Sequence, residues 1–106
     1  MSGNSYNGFT AAERRAGGRA IRHALAEGGL RPASSCSVCL AGLGLSHQWH
    51  LEDYTAPLSA YPICRRCHYA VHIRFRRPDY WQRFLRELGA KTWVHDLAVT
   101  PMHQRL

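Results

Sequence analysis

Four cysteines are the residues of this chain best suited to metal chemistry. They form two Cys-x-x-Cys pairs, Cys36/Cys39 and Cys64/Cys67. A two-residue spacing lets both thiolates of a pair occupy neighbouring corners of a tetrahedron, and two pairs complete a closed site for structural zinc. We therefore predict one structural zinc ion. Two disulfides, four buried reduced thiols and a thiol redox pair are the alternatives that the sequence leaves open.

Three histidines form a second possible ligand group. His68 and His72 are four residues apart on the helix that Cys64 is predicted to begin, so their Cβ atoms lie on one face about 6 Å apart. A common ion would need a third ligand, and His50 in the preceding segment is the best candidate. Histidines that are simply hydrogen-bonded in the core or at the surface are the alternative interpretation.

The charge balance favours a polyanionic partner. The chain has 106 residues, with 14 Lys+Arg against 7 Asp+Glu, and each phosphate that a cation neutralises releases counterions. The polar N-terminus lacks the apolar segment of a secretory signal, and no apolar run is long enough to span a bilayer. We therefore expect no membrane partner and a reducing, cytoplasmic location, where free thiols bind zinc rather than oxidise.

The elements that position these groups are expected to form one small α+β domain over residues 10–99. A chain of 106 residues buries only a modest core, so a metal staple would add stability. The predicted order is a disordered N-terminus (1–9), a helix (10–28), a core motif (36–77), a second flanking helix (78–89) and a frayed tail (100–106).

The first helix is predicted from its ends and its apolar pattern. Thr10 and Glu13 have the spacing of a capping box, and Gly28 is suited to end the helix. The apolar stripe is predicted to comprise Ala12, Ala16, Ala20, Ala24, Ile21 and Leu25. The other face carries Arg14, Arg15, Arg19 and Arg22. These arginines could follow nucleic acid or form a solvated surface.

A hairpin is predicted between the cysteine pairs. Apolar and polar residues alternate from Leu45 to Glu52, as in a half-buried strand. This alternation places His47 on the face of Leu51 and His50 on the opposite face. Residues 59–63 are predicted to form the returning strand, at a sheet edge because Pro62 has no N–H to donate.

Two helices are predicted after the hairpin. The first runs from Cys64 to about Arg77, where Pro78 removes a hydrogen-bond donor and ends it. In the second, Trp81 and Phe84 lie three residues apart, so we expect both side chains in the core rather than stacked on nucleic-acid bases.

Residues 36–72 resemble the HNH endonucleases, particularly their small phage and bacterial members. The resemblance is carried by Cys-x-x-Cys, then His-x-Glu-Asp-Tyr-x-x-Pro-Leu from His50, then Ile-Cys-x-x-Cys-His-x-x-x-His ending at His72. It implies a treble-clef, ββα-metal core with flanking N- and C-terminal helices. It also implies that His50, His68 and His72 hold a catalytic divalent ion, Mg²⁺, Mn²⁺, Ni²⁺ or Zn²⁺, and that the partner is nucleic acid, DNA before RNA.

The sequence departs from the family at the position of its general base. That histidine corresponds to Leu51, which cannot accept a proton, so His47 or Glu52 would have to replace it or the metal would act alone. Two hypotheses follow. One is a metal-dependent DNA endonuclease; the other is a degenerate HNH-like zinc module that binds DNA, RNA or a protein partner without cleavage, such as a regulator or a phage-encoded inhibitor.

Five arginines on and after the cysteine-led helix are candidates for phosphate contacts. They are Arg65, Arg66, Arg74, Arg76 and Arg77. Those at the end of the helix could instead be stabilised by the negative end of the helix dipole, without any contact to phosphate.

Overall fold

The computed structural model describes residues 5–44 and 48–102, and these contain three α-helices and one two-stranded sheet. The predicted α+β class is confirmed at this level. The helices are α1 (Ala11–Glu27), α2 (Arg65–Ile73) and α3 (Pro78–Glu87), and the strands are β1 (Gln48–His50) and β2 (Tyr61–Ile63). Short 3₁₀ helices cover Pro57–Ser59 and Trp93–Asp96.

The described residues fall into two compact units. The first comprises 5–32, 49–61 and 101–102, and the second comprises 33–44, 48 and 62–100. The single domain predicted over 10–99 stays a prediction. Within the described residues, none of the helices combines the length and the apolar character that a membrane span requires.

In the first unit, helix α1 has the predicted ends. The Thr10 hydroxyl accepts a hydrogen bond from the Glu13 N–H, and the Glu13 carboxylate accepts one from the Thr10 N–H. This reciprocal pair satisfies two backbone donors that the first turn would leave without partners. Gly28 follows with φ of 84°, a left-handed conformation that glycine adopts without steric cost.

The buried face of α1 differs from the predicted alanine stripe. Ala12 and Ala16 are exposed, and the buried residues are Gly17, Ile21 and Ala24. The physical reason lies at Gly17, where a Cβ atom would stand only 2.6 Å from Cδ1 of Tyr54. The aromatic ring packs directly on the helix backbone, so the helix turns Gly17 rather than Ala12 and Ala16 toward the core, together with Ile21 and Ala24 of the predicted stripe.

Residues 6–9 form a tight turn, which corrects the prediction of disorder for that part of 1–9. Asn7 and Gly8 have φ of 56° and 85°, and Tyr6 and Phe9 exchange two backbone hydrogen bonds around them. Asn-Gly is the sequence signal for such a two-residue hairpin turn. Tyr6 and Phe9 are 6% and 2% exposed, so the turn belongs to the core of this unit. Residues 1–4 lie outside the described part.

The predicted alternation of the first strand ends at His50. His50 and Leu51 are consecutive, yet they are 1% and 2% exposed, because β1 stops at His50 and the backbone changes direction. Leu51 packs beside Gly17, where an added Cβ would be 3.1 Å from Leu51 Cδ1. Residues 45–47, including His47, lie outside the described residues.

In the second unit, α2 and α3 pack against each other over an apolar core. Trp81 and Phe84 are 1% and 5% exposed and stack at 5.4 Å between ring centroids, which confirms the prediction that they are core residues. Cys64 is the N-cap of α2, and Pro78 is the first residue of α3, where its missing N–H costs nothing.

Candidate metal sites

The second unit brings the four predicted zinc ligands together. The Sγ atoms of Cys36, Cys39, Cys64 and Cys67 all lie within 4.8 Å of one another. Those of Cys39 and Cys64 are 3.8 Å apart, and none of the four thiols is in a disulfide. Zn–S bonds of about 2.3 Å place the sulfurs of a tetrahedral site about 3.8 Å apart. The cluster therefore could hold a metal ion such as zinc.

The loop after Cys36 holds the first pair in place. Cys36 donates its N–H to the carbonyl of Ala41 at 2.8 Å, and its carbonyl accepts from the N–H of Leu40 at 3.0 Å. Leu40 adopts φ of 67°, which is uncommon for a bulky residue and turns the chain back sharply. Backbone N–H groups of Val38 and Cys64 point at Cys36 Sγ, at 3.4 and 3.3 Å. Such donors stabilise a thiolate.

Ser37 ties this loop to the segment that carries the second pair. Its backbone N–H and its hydroxyl both donate to the carbonyl of Pro62, at 2.9 and 2.7 Å. The Ser37 oxygen in turn accepts from Nε1 of Trp93 at 3.0 Å. Pro62 lies two residues before Cys64, so these bonds help to fix the separation between the two pairs in the folded unit.

The ionisation of the cysteines fits a bound cation. Burial raises the pKa of the Cys36 thiol, but hydrogen bonds from the backbone N–H groups of Cys39, Cys64 and Val38 outweigh burial and lower its pKa to about 7. Burial raises the pKa of Cys67 well above its ordinary value of 9.0, and the nearby thiols raise it further. Four thiolates together therefore require a positive ion to balance their charge.

His68 and His72 line an open cleft in the same unit. Their ring centroids are 4.5 Å apart with the rings nearly perpendicular, as their spacing on α2 predicts. The cleft has a volume of about 310 Å³ and is lined by Gln48, Arg65, His68, Tyr69 and His72. Both imidazoles are half-buried, so each faces the cleft while its ring is supported by packing.

Gln48 orients one of these imidazoles, and sequence analysis did not identify it. Its Oε1 lies 3.1 Å from Nδ1 of His68. When Nδ1–H donates to this oxygen, the lone pair of the ring lies on Nε2. In this tautomer, Nε2 is the nitrogen that can bind a metal. The strand pattern gave no signal for this contact, because a glutamine among alternating residues is normally only a solvated side chain.

His50, the predicted third ligand, lies in the first unit in a buried polar network. Its Nε2 is 2.5 Å from Oε2 of Glu52 and 3.3 Å from the hydroxyl of Tyr6. The Tyr6 hydroxyl also donates to Glu52 Oε2, and Asn7 Nδ2 donates to Glu52 Oε1 at 3.1 Å. Glu52 and Tyr6 thus hold the His50 ring in one orientation through contacts with its Nε2.

These contacts define the role of Glu52, which the sequence offered as a substitute base. Both carboxylate oxygens accept hydrogen bonds from side chains of the first unit. Glu52 therefore holds His50 and the N-terminal turn in position. Leu51 is buried in the same unit, and His47, the other suggested base, lies outside the described residues.

The five arginines predicted to contact phosphate divide into two groups. Arg74 is 2% exposed, and it donates to the carbonyls of Ala98 and Val71 at 2.7 and 3.0 Å. The prediction that Arg74 contacts phosphate is therefore wrong, because its guanidinium is buried and joins the end of α2 to the backbone at Ala98. The other four are exposed: Arg65, Arg66, Arg76 and Arg77.

Two of the exposed arginines have partners of their own. Arg66 lies 5.7 Å from the ring centroid of Phe84, and the negative charge of Cys67 raises its pKa. Arg66 thus lies beside the thiolates and would offset part of their charge. Arg77 forms an exposed ion pair with Asp79 at 3.5 Å, which contributes little to stability.

Comparisons of the chain with protein-family models, with curated proteins and with solved structures found no match. The likeness of residues 36–72 to the HNH endonucleases therefore rests on the sequence motifs alone. What that likeness implies for activity is taken up as a proposal.

Proposed function

We propose that this protein is an HNH-like, metal-dependent endonuclease that hydrolyses phosphodiesters in DNA, with a treble-clef, ββα-metal core stapled by one zinc ion at the four cysteines. The observation that carries the proposal is the cleft in which His68 and His72 face Arg65. Two imidazoles on one helical face offer ligands for a divalent ion, and a guanidinium beside them offers a phosphate contact.

Each residue of the cleft has a distinct task in this proposal. Gln48 fixes the tautomer of His68, and the packed helix α2 fixes the angle between the two imidazoles. Arg65 pairs with a non-bridging phosphate oxygen. A divalent ion bound here would stabilise charge on the phosphate and favour ionisation of water. His50, held by Glu52, is proposed as the third ligand because of its place in the sequence motif.

A second function, binding without cleavage, is favoured by the environment of Leu51. This residue occupies the position of the family's general base and is 2% exposed. A positioned base contributes about 10²–10⁴ in rate. Without one, the same module would bind DNA, RNA or a protein partner through its basic surface and would not cleave.

Nicking of supercoiled plasmid tests the first function. Purified zinc-loaded protein is incubated with plasmid and with Mg²⁺, Mn²⁺, Ni²⁺ or added Zn²⁺ in turn. We expect nicking with at least one ion and a loss of about 10² or more in His68→Ala and His72→Ala. His23→Ala, which changes an exposed histidine of α1, is the matched control and should nick normally.

Two results would overturn the nuclease proposal. The first is the absence of nicking with every ion. The second is nicking by His68→Ala and His72→Ala at the rate of the His23→Ala control, which would indicate a contaminating nuclease. If DNA binding persists without nicking, the binding function is supported instead.

A further inference from the structure

A groove runs along helix α1 in the first unit, away from the buried face of that helix. Its volume is about 430 Å³, and its lining residues are Ala11, Arg14, Arg15, Gly18, Arg19 and Arg22. We refer to these six residues as the arginine groove. None of them takes part in the proposed metal sites, which involve cysteines and histidines.

Helical geometry explains why these residues make a groove. At 100° per residue, Arg15, Arg19 and Arg22 fall within an arc of about 60° and form one wall. Arg14 forms the other wall. The floor between the walls is Ala11 and Gly18, two of the smallest residues, one above the other at seven residues' separation. The walls are charged and the floor has no side chain longer than a methyl group.

The charges of this groove are available to a ligand. Arg15, Arg19 and Arg22 are exposed, and none of them forms an ion pair with an acidic residue in the described part of the chain. Arg14 is fixed in place because its Nε donates to the hydroxyl of Tyr54 at 3.2 Å. The acidic residues of α1, Glu13 and Glu27, lie near its two ends.

We propose that the arginine groove binds the phosphate backbone of duplex DNA. Arg15 and Arg22 are separated by about 10.5 Å along the helix axis, at 1.5 Å per residue. The phosphates of one DNA strand advance by about 3.4 Å each along the duplex axis, so a row of guanidinium groups of this length is long enough to meet more than one phosphate. Guanidinium groups match phosphate oxygens in charge and geometry, and a floor without long side chains permits close approach. The choice of DNA as partner rests on the proposed function.

The test compares two triple variants that remove the same charge. Arg15→Gln/Arg19→Gln/Arg22→Gln removes three cations from the groove. Arg83→Gln/Arg86→Gln/Lys91→Gln removes three exposed cations from the other unit. Binding of a fluorescent 20-base-pair duplex is measured over a salt series, without added divalent ions so that no cleavage occurs.

We expect the groove variant to bind at least about tenfold more weakly at low salt, since it loses three charge-assisted contacts. The slope of log K against log salt should fall by about 2.7, or 0.9 for each phosphate contact. The control variant should keep most of the wild-type affinity and slope. Equal weakening of both variants would overturn the proposal, since net charge alone would then explain binding.

A second pair of variants tests the groove without removing an arginine. At Gly18, an added Cβ meets only Arg22 Nη1, at 3.5 Å, so Gly18→Ala fits the folded helix and is the matched control for Gly18→Glu. Gly18→Glu places a negative charge on the floor and should weaken duplex binding about tenfold relative to Gly18→Ala. Equal binding by the two would contradict the groove as the phosphate site.

This inference and the proposed nuclease activity can fail separately. Duplex binding that depends on the groove, with no plasmid nicking, leaves the groove in place and removes the nuclease. Plasmid nicking, together with a groove variant that binds duplex DNA as tightly as wild type, supports the nuclease and removes the groove. No duplex binding by the wild type at low salt overturns the groove and favours an acidic protein partner for this surface.

Discussion

Removal of the ion from the four-cysteine site should unfold the second unit. The perturbation is Cys39→Ser, which replaces one thiolate of a cluster whose sulfurs all lie within 4.8 Å. Structural zinc in small domains supplies about 10–16 kcal/mol near neutral pH, whereas whole domains are stable by only about 5–15 kcal/mol. Loss of most of the zinc contribution is therefore comparable to the whole stability of a domain of this kind.

The structure explains why the core cannot compensate. Cys36 and Cys67 are 0% exposed, so without an ion these two sulfurs stay buried without the metal–thiolate bonds that would hold the two pairs together. The hydrogen bonds from Ser37 to Pro62 hold the two halves of the site but add only about 1 kcal/mol each. The site thus depends on the ion rather than on the surrounding bonds.

Three measurements on reduced protein check this prediction. Native mass spectrometry counts zinc per chain, circular dichroism reports helix content, and urea unfolding at saturating zinc reports stability. We expect bound zinc in the wild type, no cysteine-site zinc in Cys39→Ser, and loss of helical signal in that variant and after chelation. Ser34→Ala, an exposed side chain just before the first pair, is the matched control. A chelated wild type with an unchanged urea midpoint would falsify this reasoning.

The remaining predictions concern the buried residues Gly17, Leu51 and Arg74, and their effects on stability are measured by urea unfolding at saturating zinc. Gly17→Ala should destabilise the protein by about 1–2 kcal/mol, because the 2.6 Å contact with Tyr54 outweighs the gain in helix propensity. Gly18→Ala should instead stabilise it by up to about 1 kcal/mol. A change in unfolding free energy of the same sign for both variants would contradict the packing of Tyr54 on Gly17. Leu51→Ala should lower the free energy of unfolding by about 2–5 kcal/mol. Leu51→His should not raise plasmid nicking, since its imidazole would enter the core. Increased nicking by this variant would refute the burial of residue 51. Arg74→Lys should lower the free energy of unfolding by about 1–3 kcal/mol through lost hydrogen bonds and should leave the affinity for duplex DNA unchanged. Weaker DNA binding by a fully folded Arg74→Lys variant would disprove this.

Local patterns in the sequence were enough to find the cysteines that could hold a metal ion and most helix ends. The spacing of each Cys-x-x-Cys pair is a property of one turn, and the capping box at Thr10 involves residues three apart. Such features depend on backbone geometry over a few residues, so they survive in any fold that contains them. The Asn7-Gly8 turn also belongs to this class, because the Asn-Gly pair by itself indicates it.

Contacts between distant segments could not be read in this way. Gly17 is buried because Tyr54, 37 residues later in the chain, packs on it, and no periodicity marks that pairing. In the sequence, Arg74 does not differ from other basic residues at helix ends. Only the folded structure shows that it donates to the carbonyl of Ala98. Glu52 resembles a possible base until its partners in the N-terminal turn are known.

The sequence by itself determined which residues can bind a metal, since thiolate and imidazole chemistry and their spacing are written in the chain. It also determined the excess of positive charge, from which we predict a polyanionic partner. Only the tertiary structure decided which side chains remain available for function. Burial and competing hydrogen bonds commit Leu51, Glu52 and Arg74 to the folded core, while Arg15, Arg19 and Arg22 stay exposed because α1 packs through its glycine face.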